Sequence, residues 1–248
     1  GSLGLGNNNA GVTFKDTSSF QYVTDSVRTV ILGVSNNLLR QSFIIKNDYT
    51  VWAAGEGPNG RLGLNTIADH RSYTKITTDI NHFSASSISV HYQYDAVETT
   101  DNLTYTAILT GSSDNGIIKS WGYNAQGLVG DGTTANKTAP TSPDLIGNGG
   151  EIAEKTVVKV ASGWASGPLH VCNYILTSDG SVYSTGNATN RSLRGLNQSD
   201  LTATELKTYQ KLLFTMKSGE KVVDISTGHR DASLAALYLL TNMGNILT

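Results

Sequence analysis

The sequence predicts an all-β fold built from about four copies of one antiparallel unit, and three observations carry that prediction. The first is a recurring strand, turn and strand, plainest in Tyr174-Ile175-Leu176-Thr177, Ser178-Asp179-Gly180 and Ser181-Val182-Tyr183-Ser184-Thr185-Gly186. Asp-Gly between two β-rich runs marks a hairpin, because glycine takes a positive φ without a Cβ clash. The same unit reads from Phe43 to Gly55, from Ala107 to Gly122 with Asn115-Gly116 at its turn, and in shortened form from Leu239 to Thr248. The second observation is its spacing: Trp52, Trp121, Tyr183 and Leu247, taken as equivalent landmarks, lie 69, 62 and 64 residues apart. The third is an apolar strand ending in Gly33, Gly163 or Gly228, which precedes the landmark by 19, 20 and 19 residues. Loops of free length would not keep that interval, so each unit holds at least three strands. The second unit matches more loosely, with Ile88-Ser89-Val90 in place and His91-Tyr92 where the glycine would fall.

Composition agrees with a turn-rich β chain. Charged residues are 15% of the 248, Gly numbers 26, and 18 basic against 20 acidic residues leave a net charge of −2. Neither sign gathers into a run, so the clustered basic stripe of a nucleic-acid binder is missing and no nucleic-acid partner is expected. No apolar stretch reaches the roughly 20 residues that span a bilayer. The single cysteine, Cys172, cannot form an internal disulfide, and its neighbours Leu169, Val171 and Ile175 predict a buried thiol.

After the hairpins come Gly-rich loops. The clearest runs Ser120-Trp121-Gly122-Tyr123-Asn124-Ala125-Gln126-Gly127-Leu128-Val129-Gly130-Asp131-Gly132-Thr133-Thr134. Weaker copies are Val51-Trp52-Ala53-Ala54-Gly55 to Gly60-Arg61-Leu62-Gly63-Leu64, and Val182 to Asn187 with Arg194-Gly195-Leu196-Asn197. These segments resemble the RCC1 repeat family, whose signature runs Asp-Gly-x-Val-Trp-x-Trp-Gly-x-Asn-x-x-Gly-x-Leu-Gly, and Asp131 to Thr134 is similar to its bacterial and viral members. The resemblance implies a β-propeller of four-stranded blades. Its glycines then serve turns between blades, with a positive φ expected at Gly122, while Leu62 or Leu128 fills the space between neighbouring sheets.

The chain reads as one such region from residue 1 to 248, with both ends inside repeats, since Gly1-Ser2-Leu3-Gly4-Leu5-Gly6 matches Gly60-Arg61-Leu62-Gly63-Leu64-Asn65. A window from a longer polypeptide is the expectation. One stretch departs from the β pattern: Thr202-Ala203-Thr204-Glu205 has the form of a capping box, and Leu206, Tyr209, Leu213 and Met216 fall on one helical face before Gly219, predicting a short helix. The segments Asn65 to Asn81, His91 to Thr104 and Thr133 to Gly150 read as insertions displayed on a propeller face.

Residue patterns for catalysis are incomplete. Gly163-Trp164-Ala165-Ser166-Gly167 has one residue too many for a nucleophile elbow. Glu154 stands where a phosphate loop running from Gly147-Asn148-Gly149-Gly150 to Lys155-Thr156 would need glycine. The five histidines, His70, His82, His91, His170 and His229, lack metal-ligand spacing. The expectation is therefore no catalytic residues, no cofactor and no metal, in a binding or structural module. Tyr92, Tyr94 and Tyr105, which flank the His91 to Thr104 insertion, are the candidate partner-binding residues. Two functions fit. The first is a virion component, such as a phage tail or head fibre, or a surface protein contacting other proteins or a surface glycan. The second, implied by the resemblance, is a soluble regulatory propeller, cytoplasmic, of the GTPase-regulator or enzyme-inhibitor type.

Overall fold

Runs of alternating apolar residues separated by Gly, Asn and Asp turns give fifteen strands in a computed structural model, which describes residues 24–35, 38–78, 80, 85–92, 104–110, 118–144, 155–164, 170–188, 205–231 and 234–248. The first sheet contains β1 (Val27–Ser35), β2 (Leu38–Lys46), β3 (Val51–Gly55) and β4 (His70–Lys75). The second contains β5 (Ala85–Tyr92), β6 (Thr104–Thr110), β7 (Ile118–Gly122) and β8 (Lys137–Thr141). The third contains β9 (Val157–Trp164), β10 (His170–Thr177), β11 (Val182–Ala188) and β12 (Glu205–Lys211), and the fourth β13 (Val222–Asp231), β14 (Leu234–Thr241) and β15 (Ile246–Leu247). Each sheet is an antiparallel meander in chain order, and the leading strands β1, β5, β9 and β13 lie side by side.

The Asp179-Gly180 hairpin forms as predicted, with Gly180 at φ 88° and Asp179 accepting a hydrogen bond from the Ser181 amide. Asn115-Gly116 lies outside the described residues. The positive φ expected at Gly122 is present, at 105°, and recurs at Gly55 (128°) and Gly186 (108°).

Register corrects one landmark. Trp52 faces Ile44, Lys119 faces Ile108, Tyr183 faces Ile175 and Leu247 faces Leu239, so Lys119, not Trp121, is the equivalent of Trp52. Trp121 directly precedes Gly122 and corresponds to Ala54 and Thr185. The repeat signature places tryptophan at both positions, and the first and second sheets each fill a different one. With Lys119 as landmark the spacings become 67, 64 and 64 residues, more regular than the tryptophans suggest.

Three segments read otherwise from sequence are the fourth strands. The predicted helix after Thr202 is β12 over Glu205–Lys211; the supposed insertions Asn65 to Asn81 and Thr133 to Gly150 contain β4 and β8. The physical reason is a repeated bulge. Ala53 and Gly55 face Thr74 and His70, Ser120 and Gly122 face Thr141 and Lys137, and Ser184 and Gly186 face Gln210 and Leu206. Each fourth strand thus carries two more residues than its partner, opposite the positive-φ glycine. The bulge in β12 lets Leu206 and Tyr209, three apart, both be buried, which imitates helical spacing.

The apolar core sits between sheets. Phe43, Ile45, Val51, Ala53 and Leu62 meet Ala85, Ile88 and Trp121; Ile118 meets Val157, Ile175 and Tyr183; Cys172, Tyr174, Leu176 and Val182 meet Val222, Ile225, Leu237 and Leu239. Cys172 is buried there, as its neighbours predicted. Leu62 fills the first of these junctions, and Leu128 is buried as well, although Val129 occupies the place corresponding to Leu62.

Sheets are locked by the Gly-rich loops. Gly60 packs on Lys137 and Thr138 of β8, and Gly127 packs on Leu206 and Lys207 of β12. The Asn65 amide donates to the Thr138 carbonyl at 2.7 Å, and the Gly132 amide donates to the Lys207 carbonyl at 2.8 Å, the same bond one junction later. A Cβ on Gly127 would lie 2.8 Å from the Leu206 carbonyl oxygen, whereas Gly244, with a similar φ of 79°, has nothing within 4 Å. Gly244→Ala should therefore cost about 1 kcal/mol for the left-handed backbone alone, and Gly127→Ala more than about 2 kcal/mol, measured by urea unfolding. Equal losses for the two variants would show that docking of this loop contributes nothing.

Candidate functional site

Several of the described buried polar groups hold turns. Asn124 is fully buried; its side-chain oxygen accepts from the Val129 amide at 2.8 Å and its amide group donates to Asp131 and to the carbonyls of Thr133 and Ala135. Asn136 ties that loop to the preceding sheet, accepting from the Asn124 amide at 2.9 Å and donating to Asn59 at 2.9 Å. Asp131 pairs with Lys137, and accepts from the Thr133 hydroxyl at 2.8 Å. In the third sheet Lys155 pairs with Asp179 at 2.9 Å and donates to the Tyr183 hydroxyl at 2.9 Å. The hydrogen bonds to Tyr183 and Asp179 push the Lys155 pKa up, which keeps the ammonium charged. The Asn124 cluster was missed as a cluster from sequence, although Asn is the signature's residue at that place; the signal was the short polar run Asp131 to Asn136.

Aromatic and hydroxyl groups serve the same end. The Trp121 indole donates to the Arg61 carbonyl at 3.1 Å, and its ring meets Phe43 edge-on at 6.1 Å between centroids. At the corresponding place in the third sheet the Thr185 hydroxyl reaches the carbonyls of Leu206 and Gly127, and Asn173 donates to the Leu128 carbonyl at 2.8 Å. Among the described residues no three His, Cys, Asp or Glu side chains gather to hold a metal ion, and no helix is long and apolar enough to cross a membrane.

What these structural roles leave free is loop length on one rim. Antiparallel order puts the connection between first and second strands on the same rim as the Gly-rich loops. In the first and fourth sheets that connection is residues 36–37 and 232–233, in the third 165–169, and in the second 93–103. Tyr92 and Tyr105 stand at its base, on β5 and β6: Tyr92 is opposite Thr104, and Tyr105 is opposite Gly122 on its other side. Tyr94 lies outside the described residues. The insertion read as His91 to Thr104 thus narrows to 93–103, because its outer residues belong to strands.

No family model matches the chain. Solved structures do resemble it. Human WBSCR16 superposes with a TM-score of 0.58 at 19% identity, over 84% of this chain and 44% of that one. Yeast RCC1 (Prp20), in a structure where Kap60 is bound to it, gives 0.54 at 17%, over 84% and 41%. Prp20p from Saccharomyces cerevisiae, described with its binding properties to Gsp1p and histones, gives 0.53 at 15%, over 92% and 46%. The chain spans less than half the length of each of these neighbours. The shared feature is the fold, an RCC1-like β-propeller.

The Asp131 cluster has a pH signature. Burial alone would raise the Asp131 pKa, but hydrogen bonds from Lys137 and Thr133 outweigh it and hold the carboxyl below the usual range. A carboxyl depressed in the folded state stabilises the fold above its unfolded value, near pH 4, and that stability is lost as pH falls below it. The urea midpoint should therefore drop on acidification below about pH 4, and Asp131→Asn should lower it at neutral pH while flattening the acid dependence. An Asp131→Asn protein with the wild-type acid slope would show that this carboxylate is not part of the linkage.

Proposed function

We propose that this chain is a non-catalytic, protein-binding propeller region whose contact surface is the rim carrying residues 93–103, with Tyr92, Tyr94 and Tyr105 at or beside its base. The observation that carries this reading is the unequal length of one connection: eleven residues in the second sheet where the first and fourth sheets use two. A two-residue link suffices to close this hairpin, and ordering each additional residue costs roughly 1 to 2 kcal/mol, so the extra length is explained by contact and not by folding. A non-catalytic role fits the use of Asn124, Asp131, Lys137, Lys155 and Asp179 in holding turns and junctions.

The neighbours favour a regulator-like partner over a particle component. Kap60, Gsp1p and histones, the molecules that Prp20 is described with, are proteins, and this chain shares the Prp20 fold. A virion or surface placement draws on the Asn, Thr and Gly-rich composition and on the Asp131 to Thr134 loop. In the fold, however, Asp131 and Thr133 staple a turn, a role any propeller of this kind can use. The soluble regulatory module is accordingly the reading we adopt, with a protein as its partner.

Replacing 93–103 by a two-residue Gly-Ser link should leave the melting temperature near that of the wild type and abolish partner capture. Affinity capture from the source organism's own extract, run in parallel with both chains and read by mass spectrometry, tests this. Equal capture by the shortened chain would place the function elsewhere, and capture of capsid or tail proteins alone would favour the virion reading.

A further inference from the structure

The connections that lead from a fourth strand to the next first strand can be compared place by place. The Leu212 amide donates to the Val182 carbonyl at 2.8 Å and the Ile76 amide to the Val51 carbonyl at 2.9 Å, the same bond in two sheets, and the register of β8 puts Pro143 at that place in the second. All three side chains are buried. One residue on, the side chain is exposed in each connection: Thr77 in the first, Asp144 in the second and Leu213 in the third, where 65% of it is open. The sheets that follow Thr77 and Asp144 have all four strands, so exposure at this place belongs to the connection itself. A hydroxyl or a carboxylate suits such a place, and of the three connections only the third puts an apolar side chain there.

Leu213 borders a depression of about 240 Å³ between the Asp179-Gly180 turn of the third sheet and residues 211–221. Antiparallel order puts both on the rim opposite residues 93–103. Phe214 and Met216 pack on the core that holds Tyr174, Val222 and Leu237, and they also line the depression. In the first connection Thr78 stands in the place of Phe214, so the apolar pair is a departure from the first repeat. Lys211, Lys217 and Lys221 are exposed around this lining. Of the two carboxylates there, Asp179 is paired with Lys155 at 2.9 Å, and Glu220 accepts from the Asn245 side chain at 2.6 Å and from the Thr241 hydroxyl at 2.8 Å. Lysine thus outnumbers carboxylate here, on a chain whose net charge is −2.

We infer that this depression is a second protein-binding site, and that its occupant is an acidic segment of a partner protein carrying an apolar side chain. That side chain lies on Leu213, Phe214 and Met216, and its neighbouring carboxylates meet Lys211, Lys217 and Lys221. The lysines select an anionic partner by charge complementarity, and the apolar lining selects a protein segment over a nucleic acid backbone, which has no such side chain to bury. Folding gives no reason for Leu213, since Thr77 and Asp144 serve the same connection elsewhere. Contact does, because covering its open surface removes apolar area from water. The site stands on the rim opposite residues 93–103, so it engages a partner independently of that loop.

Panning a randomised peptide library of about twelve residues on the 248-residue chain tests this. Enriched sequences should combine Asp or Glu with Leu, Ile or Phe, and should bind with a Kd below about 100 μM by fluorescence polarisation, more weakly as salt is raised. Leu213→Thr, which matches the first connection, and Lys217→Glu combined with Lys221→Glu should each weaken that binding about tenfold or more. Circular dichroism melts establish that the variants are folded; if the charge reversal is not, Lys217→Gln with Lys221→Gln repeats the comparison with a smaller loss. The chain with 93–103 replaced by a Gly-Ser link should bind these peptides as the wild type does, which separates this site from the opposite rim. No enrichment, enriched sequences without acidic residues, affinities unmoved by the folded variants, or loss of binding in the shortened chain would each overturn the proposal. Adsorption to phosphatidylserine vesicles with no acidic peptide enriched would overturn it too, assigning the lysines to a lipid surface.

Discussion

A glycine backbone lying against the edge strand of the next sheet is the contact on which the rest of this structure depends. Gly60 and Gly127 each hold a positive φ and each sit where a Cβ would strike main-chain atoms of β8 or β12. Backbone cannot move aside as a side-chain end can, so the approach requires a residue without a Cβ. Once that approach is made, an amide two residues beyond the loop's second glycine bonds to the neighbouring strand, from Asn65 in one case and Gly132 in the other. The following first-strand and third-strand side chains then fall into register across the gap, which is why Leu62, Trp121 and Phe43 share one core. Burying such side chains contributes on the order of 1.5 to 3 kcal/mol each, so a loop that positions several of them matters more than its own hydrogen bonds.

That division explains what could be read from the sequence. The second and third strands were legible because their alternation is uninterrupted and their turns carry Asp-Gly or similar pairs; three of the four first strands were legible because Val, Ile and Leu cluster before a glycine, and the second, ending in His91-Tyr92, only more loosely. The fourth strands were not. Each is a polar edge opposite a positive-φ glycine and holds two extra residues, so its alternation is broken in the middle. In β12 the break places Leu206 and Tyr209 on one side at an interval of three, and a plausible capping sequence upstream completes the likeness to a helix. In β8 the strand holds Pro140, which an edge tolerates and a pattern search rejects.

The tryptophans show a different limit. Trp52 and Trp121 look equivalent because both belong to the repeat signature and both stand near the turn glycine, yet one precedes that glycine by three residues and the other by one. Register separates them: Trp52 is half-buried with Lys46 over its ring at 4.8 Å, whereas Trp121 is fully buried beneath the loop of the preceding sheet. Residue type was informative about the repeat and misleading about the place within it. The candidate rim was partly legible in the same sense. Tyr92 and Tyr105 were marked by flanking a long segment, but only strand boundaries show that the segment is 93–103 and that its counterparts in two other sheets are two residues long.

Because the cores lie between sheets and not within them, stability here is a property of junctions, as in other repeat architectures. A substitution at Leu176 or Ile225 acts on one junction and leaves the next intact, so effects at separate junctions should be close to additive.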